Sequence, residues 1–119
     1  MNIVSIRGAI TIDNNEEKNI LDNTAKLIKT IEKANNLEKK DVISIIFSCT
    51  ADITKVAPAK AARQLGYVQA SLMNFNEMYV ENYLEKCIRI MILCNSNIKQ
   101  DQVKHIYLKD AKILRPDLT

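Results

Sequence analysis

Apolar residues follow two different periods along this chain, and the changes between them mark out its elements. In NIVSIRGAI, residues 2–10, the residues Ile3, Val4, Ile6, Ala9 and Ile10 alternate loosely with polar positions, the period of a strand. Its regular part ends at Arg7-Gly8. Gly8, one of two glycines in the chain, predicts a bulge or a close approach of backbones there. The period then lengthens. Ile20, Leu21, Thr24, Leu27, Ile28 and Ile31 form one stripe, with Lys18, Asp22, Lys29 and Lys33 opposite, which predicts an amphipathic helix running to about Ala34. Asn14-x-x-Glu17 supplies its start, a side-chain acceptor followed three residues later by Glu. Asn35-Asn36 supplies its stop, because Asn tolerates the left-handed conformation.

Glu38–Asp41 is a charged connection. VISIIFS, Val42–Ser48, is β-branched and almost wholly apolar, as a central strand is. Cys49–Lys55 reads as a loop. Pro58 at a first helical position and Gly66 just past a last one bracket a short helix, AKAARQL, with Lys60 and Arg63 on one face. Tyr67–Leu72 reads as a third strand, Met73–Tyr83 as a polar, Asn-rich connection, and Lys86–Cys94 as a buried strand. Asn95–Gln102 is a loop, and His105–Leu108 and Ala111–Leu114 are short strand pieces. The order β-α-β-α-β-β-β predicts a single α+β domain over residues 1–119, a mixed sheet with both helices on one face.

In KCIRIMILC, Ile88, Ile90 and Ile92 point one way and Cys87, Arg89, Met91 and Leu93 the other, so both sheet faces are largely apolar. The helices cover one of them. The other is expected to pack on another chain, which predicts an oligomer.

Composition narrows the classes. An apolar content of 47% over 119 residues suits one globular domain. The net charge of +3 is mild, and the basic residues are dispersed, which argues against nucleic acid. Cys49, Cys87 and Cys94 are odd in number and form no CxxC pair, so reduced thiols in a cytoplasmic protein are expected. The N-terminus turns polar within a few residues. The longest apolar run is far short of the ~20 residues of a membrane span, so neither a signal peptide nor a membrane partner is expected.

Arg89 is the anomaly. Taking a guanidinium out of water costs roughly several kcal/mol unless it is compensated. Glu85, four residues away along the strand, cannot serve. Arg89 therefore needs an acidic partner from elsewhere in the fold or an anionic ligand, and the residues alone leave both open. Arg7 either reaches solvent from its strand end or lines a site. Lys60 and Arg63 form a basic face, Arg115 sits in a terminal LRPD, and Glu77 lies in a polar stretch. His105 has no metal-ligand partners at suitable spacing, and Cys49 reads as a small buried apolar residue rather than a nucleophile. There is no phosphate-binding glycine loop and no hydrolase motif. Several arginines and one Glu remain, a set suited to binding a polyanion or to a reaction that needs only shape and fixed charge.

Six motifs extend this reading: IRGA at Ile6–Ala9, PAKAxR at Pro58–Arg63, NEM at Asn76–Met78, KCIRIM at Lys86–Met91, QDQVKHIYL at Gln100–Leu108 and LRPDL at Leu114–Leu118. In this order and spacing the chain resembles, nearly end to end, the monofunctional chorismate mutases of the Bacillus type. The resemblance implies a pseudo-α/β-barrel homotrimer with sites between subunits. It also implies a cofactor-free isomerase converting chorismate to prephenate by a [3,3] Claisen rearrangement in Phe and Tyr biosynthesis. It gives Arg89 the substrate's ether oxygen and a carboxylate, and gives Glu77 the ring hydroxyl and the balancing of Arg89. Arg7 and Tyr107 hold carboxylates, Lys60 and Arg63 add positive field at the entrance, and Arg115 closes over the site. Ala57, Ala59, Met73, Asn74 and Leu114 complete the substrate-binding set, with Ala57–Arg63 coming from a neighbouring subunit.

The chain departs from the family pattern in places. Ala57 stands where Phe is usual, Met73 where Thr is, and Asn74 where a Cys contacts the substrate hydroxyl. One residue is missing near Gly66, and the tail after LRPDL is short. Two other readings share such a trimer: a non-catalytic ligand-binding or regulatory protein, and an imine deaminase with a carboxylate-binding Arg in an interface cleft, whose motifs match poorly.

Overall fold

The computed structural model describes residues 1–118; Thr119, the last residue of the expected domain, lies outside the described residues. The strands are β1 (Asn2–Thr11), β2 (Val42–Cys49), β3 (Ser71–Asn76), β4 (Cys87–Ser96) and β5 (Ile106–Leu108), and the helices are α1 (Glu17–Asn35) and α2 (Ala59–Gln64). They form one mixed sheet in the order β3-β2-β4-β1-β5. β4 runs antiparallel to both β1 and β2, while β1–β5 and β2–β3 are parallel pairs. Parallel strands need a crossover, and the links β1 to β2 and β2 to β3 each run through a helix. α1 and α2 pack on each other and share the core with Ile6 and Ile10 of β1, Ile45 and Phe47 of β2, and Ile88, Ile90 and Ile92 of β4. Of the predicted stripe, Ile20, Thr24, Leu27, Ile28 and Ile31 are buried, while Leu21 is only half-buried and Asn23, outside the stripe, is buried as well. None of the described helices is long and apolar enough to cross a membrane.

Both glycines do what their positions suggest. At Gly8 the approach is close. A Cβ there would lie 2.7 Å from the Ile106 carbonyl oxygen, 3.1 Å from Ile31 Cδ1 and 3.2 Å from Ile90 Cγ2. The register of β1 on β4 is unbroken at Gly8, so it marks no bulge; the register shifts instead between Val42 and Ser44 of β2. Gly66 has φ +103°, past the end of α2. Asn36, at φ 50°, ends α1 by donating its N–H to Glu32 O.

Three expectations are corrected. The start of α1 is not capped by Asn14. Instead Asn19, inside the helix, turns Oδ1 back to accept the N–H groups of Asp13 at 2.8 Å and Asn14 at 3.4 Å. The third strand is Ser71–Asn76 rather than Tyr67–Leu72, so the first part of the expected 73–83 connection is strand. Tyr67 is instead buried beside α1, with its hydroxyl on Glu32 and the Lys39 ammonium 5.5 Å from its ring centre, which holds that segment away from the sheet edge. Ala111–Leu114 is no strand but part of a 3-10 helix, Lys109–Leu114. Residues three apart stack on one side of such a helix, which lets Ala111 and Leu114 both pack with Ala9, Cys87 and Tyr107.

The face of the sheet away from the helices carries the site. Register places Phe75, Ser48, Arg89, Ala9 and Tyr107 on one line across all five strands, and Met73, Ile46, Met91 and Arg7 on the next. Met73, Phe75, Met91 and Ile46 are 55%, 49%, 40% and 37% exposed, so this apolar face lacks a cover among the described residues.

Candidate active site

Strand pairing sets Arg89 between Ser48 of β2 and Ala9 of β1. Its partner is Glu77, which follows β3 directly. The Glu77 N–H donates to Cys49 O at 2.8 Å, extending the ladder by one step and bringing the carboxylate back over β2. Arg89 Nη1 lies 3.6 Å from Glu77 Oε1 and donates to the Tyr83 hydroxyl at 3.2 Å. Ser48 Oγ donates to the same Glu77 oxygen at 2.8 Å. The charge is therefore compensated within the chain, but loosely, since a charge-assisted hydrogen bond closes to about 2.7–2.9 Å. Among the described residues, Arg89 Nε and Nη2 and Glu77 Oε2 make no hydrogen bond.

A cavity of about 270 Å³ opens beside the pair. Arg7, Arg89 and Glu77 supply its charge, and Tyr107 and Ser48 supply hydroxyls. Ile46, Ile90, Met91 and the backbone at Gly8 close its floor. Arg7 reaches it from the same sheet face, and its guanidinium makes no ion pair among the described residues. Its backbone N–H donates to His105 Nδ1 at 2.9 Å, so that ring nitrogen carries no proton. Burial, then the positive charges of Arg7 and Arg115, hold His105 below the usual histidine pKa and keep it neutral at neutral pH. Leu114 packs beside Tyr107, and Arg115 forks onto Asp117 with contacts of 3.1 and 2.9 Å.

The other expected residues lie elsewhere in the chain. Ala57, Ala59, Lys60 and Arg63 sit on or before α2, and Asn74 faces them from the helix side of β3, its Oδ1 accepting the Ala59 N–H at 3.1 Å. Lys60 pairs with Glu17 at 3.4 Å, and Arg63 is exposed. Met73 faces the open side of the same edge strand. None of these lines the Arg89 cavity.

Two contributors escaped the sequence reading. Ser48 had a signal, as a polar side chain in an apolar strand, but its role appears only once register sets it beside Arg89. Tyr83 had none, because it lies in a polar loop. The thiols are poor nucleophiles. Burial first, then neighbouring negative groups, pushes Cys49 up to about 12, and burial outweighs the opposing Arg89 charge to push Cys87 up to about 12. Among the described residues no cluster of His, Cys, Asp or Glu is placed to hold a metal ion. The site offers fixed cations, one carboxylate and hydrogen-bond donors around a small hollow.

Known proteins resemble this chain in sequence and fold. Residues 3–118 match the family model described as chorismate mutase type I. Chorismate mutase AroH of Bacillus subtilis (strain 168) is 39% identical over 120 residues, covering 100% of this chain and 94% of its own. Chorismate mutase AroH of Thermus thermophilus is 38% identical over 114 residues, covering 95% and 93%. A solved structure, chorismate mutase from Clostridium thermocellum, superposes with a TM-score of 0.90 at 43% identity over 92% of this chain and 97% of that one. The expected α+β fold and the motif-based resemblance both hold: this chain belongs to the chorismate mutase type I family.

Proposed function

We propose that the Arg89–Glu77 cavity is where this chain carries out its family's reaction, the rearrangement of chorismate to prephenate. The reaction is pericyclic: one C–O bond breaks as one C–C bond forms, and no proton or electron pair passes to the protein. It needs the enolpyruvyl arm held over the ring and the negative charge growing on the ether oxygen stabilised. Arg89 Nε and Nη2 donate to that oxygen and to a carboxylate. Arg7 and Tyr107 hold the carboxylates, and Glu77 Oε2 accepts from the ring hydroxyl. The observation that carries this reading is the half-engaged guanidinium of Arg89, balanced by Glu77 on one nitrogen and unbonded on the other two.

The protein works as a homotrimer. The uncovered apolar face supports an oligomer, and the separation of the expected residues into two groups supports a shared site. Ala57, Ala59, Lys60, Arg63 and Asn74 belong to the neighbouring subunit's edge of the cleft, with Lys60 and Arg63 supplying positive field. Asn74 Oδ1 is taken by Ala59, so its Nδ2 is the atom left to donate to the ligand. Met73 replaces a hydrogen-bonding residue with apolar wall, and Leu114 and Arg115 lie beside Tyr107 as the cleft's cover. Ala57 leaves a gap at the rim, which lowers affinity rather than rate. The protein acts in the cytoplasm on the route to Phe and Tyr.

Mixing two impaired variants tests the shared cleft. Lys60→Ala/Arg63→Ala chains and Arg89→Ala chains, co-refolded in equal amounts, are expected to recover activity in about a quarter of the sites, because random assembly rebuilds an intact pairing that often. Activity no higher than the average of the two separate preparations would place the whole site within one chain.

A further inference from the structure

We propose that Tyr83 is a positioning residue for Arg89, a neutral anchor that fixes one end of the guanidinium and leaves the other for the ligand. The inference rests on the functional reading above. Arg89 Nη1 carries two N–H groups and meets two protein acceptors, the Tyr83 hydroxyl at 3.2 Å and Glu77 Oε1 at 3.6 Å. That nitrogen is thereby committed to the protein, and Nε and Nη2 remain as donors. Glu77 alone leaves the long guanidinium free to swing about one loose contact, and a second acceptor fixes it. A second carboxylate would anchor Arg89 equally well but would cancel the positive field that the ether oxygen needs. A phenol accepts a hydrogen bond and adds no charge.

The loop around Tyr83 is built to hold it. Its N–H closes a turn onto Val80 O at 3.1 Å, and Asn82 before it takes the left-handed conformation at φ 62°. Leu84 after it packs with Ala9, Cys87 and Tyr107, beneath the cavity. At the end of the loop the Lys86 N–H donates to the Asp52 carboxylate, at 3.0 Å to the nearer oxygen. Tyr83 is 40% exposed, so losing its hydroxyl oxygen disturbs no core packing.

The test compares the unaltered protein with Tyr83→Phe and Tyr83→Leu, both lacking the acceptor. It measures kcat and KM for chorismate, affinity for prephenate, and affinity for a bridged bicyclic ether dicarboxylate that mimics the transition state. Both variants are expected to lose roughly tenfold in kcat with KM within about twofold. The bicyclic ether should bind weaker by a similar factor, and prephenate should bind as before. Unchanged kcat in Tyr83→Phe would overturn the proposal. So would equal weakening of both ligands, the pattern of a merely structural loop residue. Absence of turnover by the unaltered protein would overturn the functional reading, and this inference with it.

Discussion

Arg89→Ala is expected to lower kcat by at least about 10³-fold while weakening substrate binding far less, because the interaction removed is made mainly as charge develops on the ether oxygen. In the ground state that oxygen is a neutral ether and a weak acceptor, and Arg7 and Tyr107 still hold the carboxylates. In the transition state the same atom carries partial negative charge in a half-enclosed hollow where water is a poor substitute. The fold should survive. Arg89 lies on the open face, its side chain is 35% exposed, and Glu77, 20% exposed and bonded to Ser48, keeps a partner. Arg89→Lys should fall nearly as far, since an ammonium keeps the charge but cannot engage Tyr83 and Glu77 at one nitrogen and the substrate at two others. Single-turnover kinetics with direct ligand titration separate the terms. A variant that binds chorismate poorly yet converts the bound fraction at the normal rate would contradict the role assigned to Arg89.

Gly8→Ala should be the most damaging small substitution, lowering stability by about 2–3 kcal/mol and Tm by roughly 10 °C. The added methyl would meet a backbone oxygen, Ile106 O at 2.7 Å, which no rotamer change can move, and Ile31 and Ile90 block the remaining room. Relief requires β5 to part from β1. β5 carries Tyr107 into the site, so activity should fall together with stability. Thermal unfolding at fixed protein concentration checks the first effect and steady-state kinetics the second. An unchanged Tm would mean that the strands are not packed as closely as described.

The sequence revealed most where a period was strong. The stripe of α1 and the alternation of Ile88, Ile90 and Ile92 each match a buried face, because those elements lie against the core and packing dictates their residues. Periodicity misplaces β3 because it is an edge strand. Its Asn74 and Asn76 look like loop, and Tyr67, which looks like strand, is held by Glu32 and Lys39 instead. Arg89 is legible as a charge in an apolar strand that needs a partner, but it lies on the open face with its side chain 35% exposed rather than buried. Which partner it takes was not legible in spacing, since Glu77 reaches it through the β2–β3 and β2–β4 pairings, and it took family motifs to single Glu77 out. The Arg7 and Tyr107 roles likewise came from those motifs rather than from periodicity. Tyr83 came from neither, and only the folded loop brings it to Arg89.

If this chain rearranges chorismate with fixed charge and shape alone, the purified protein should consume chorismate unaided, which its absorbance follows. Chorismate is expected to disappear with first-order kinetics, matched mole for mole by prephenate, at a rate nearly flat from about pH 7 to about pH 9, because no side chain transfers a proton. No loss of chorismate at micromolar protein, or a bell-shaped profile with a cysteine- or histidine-like limb in that range, would contradict it.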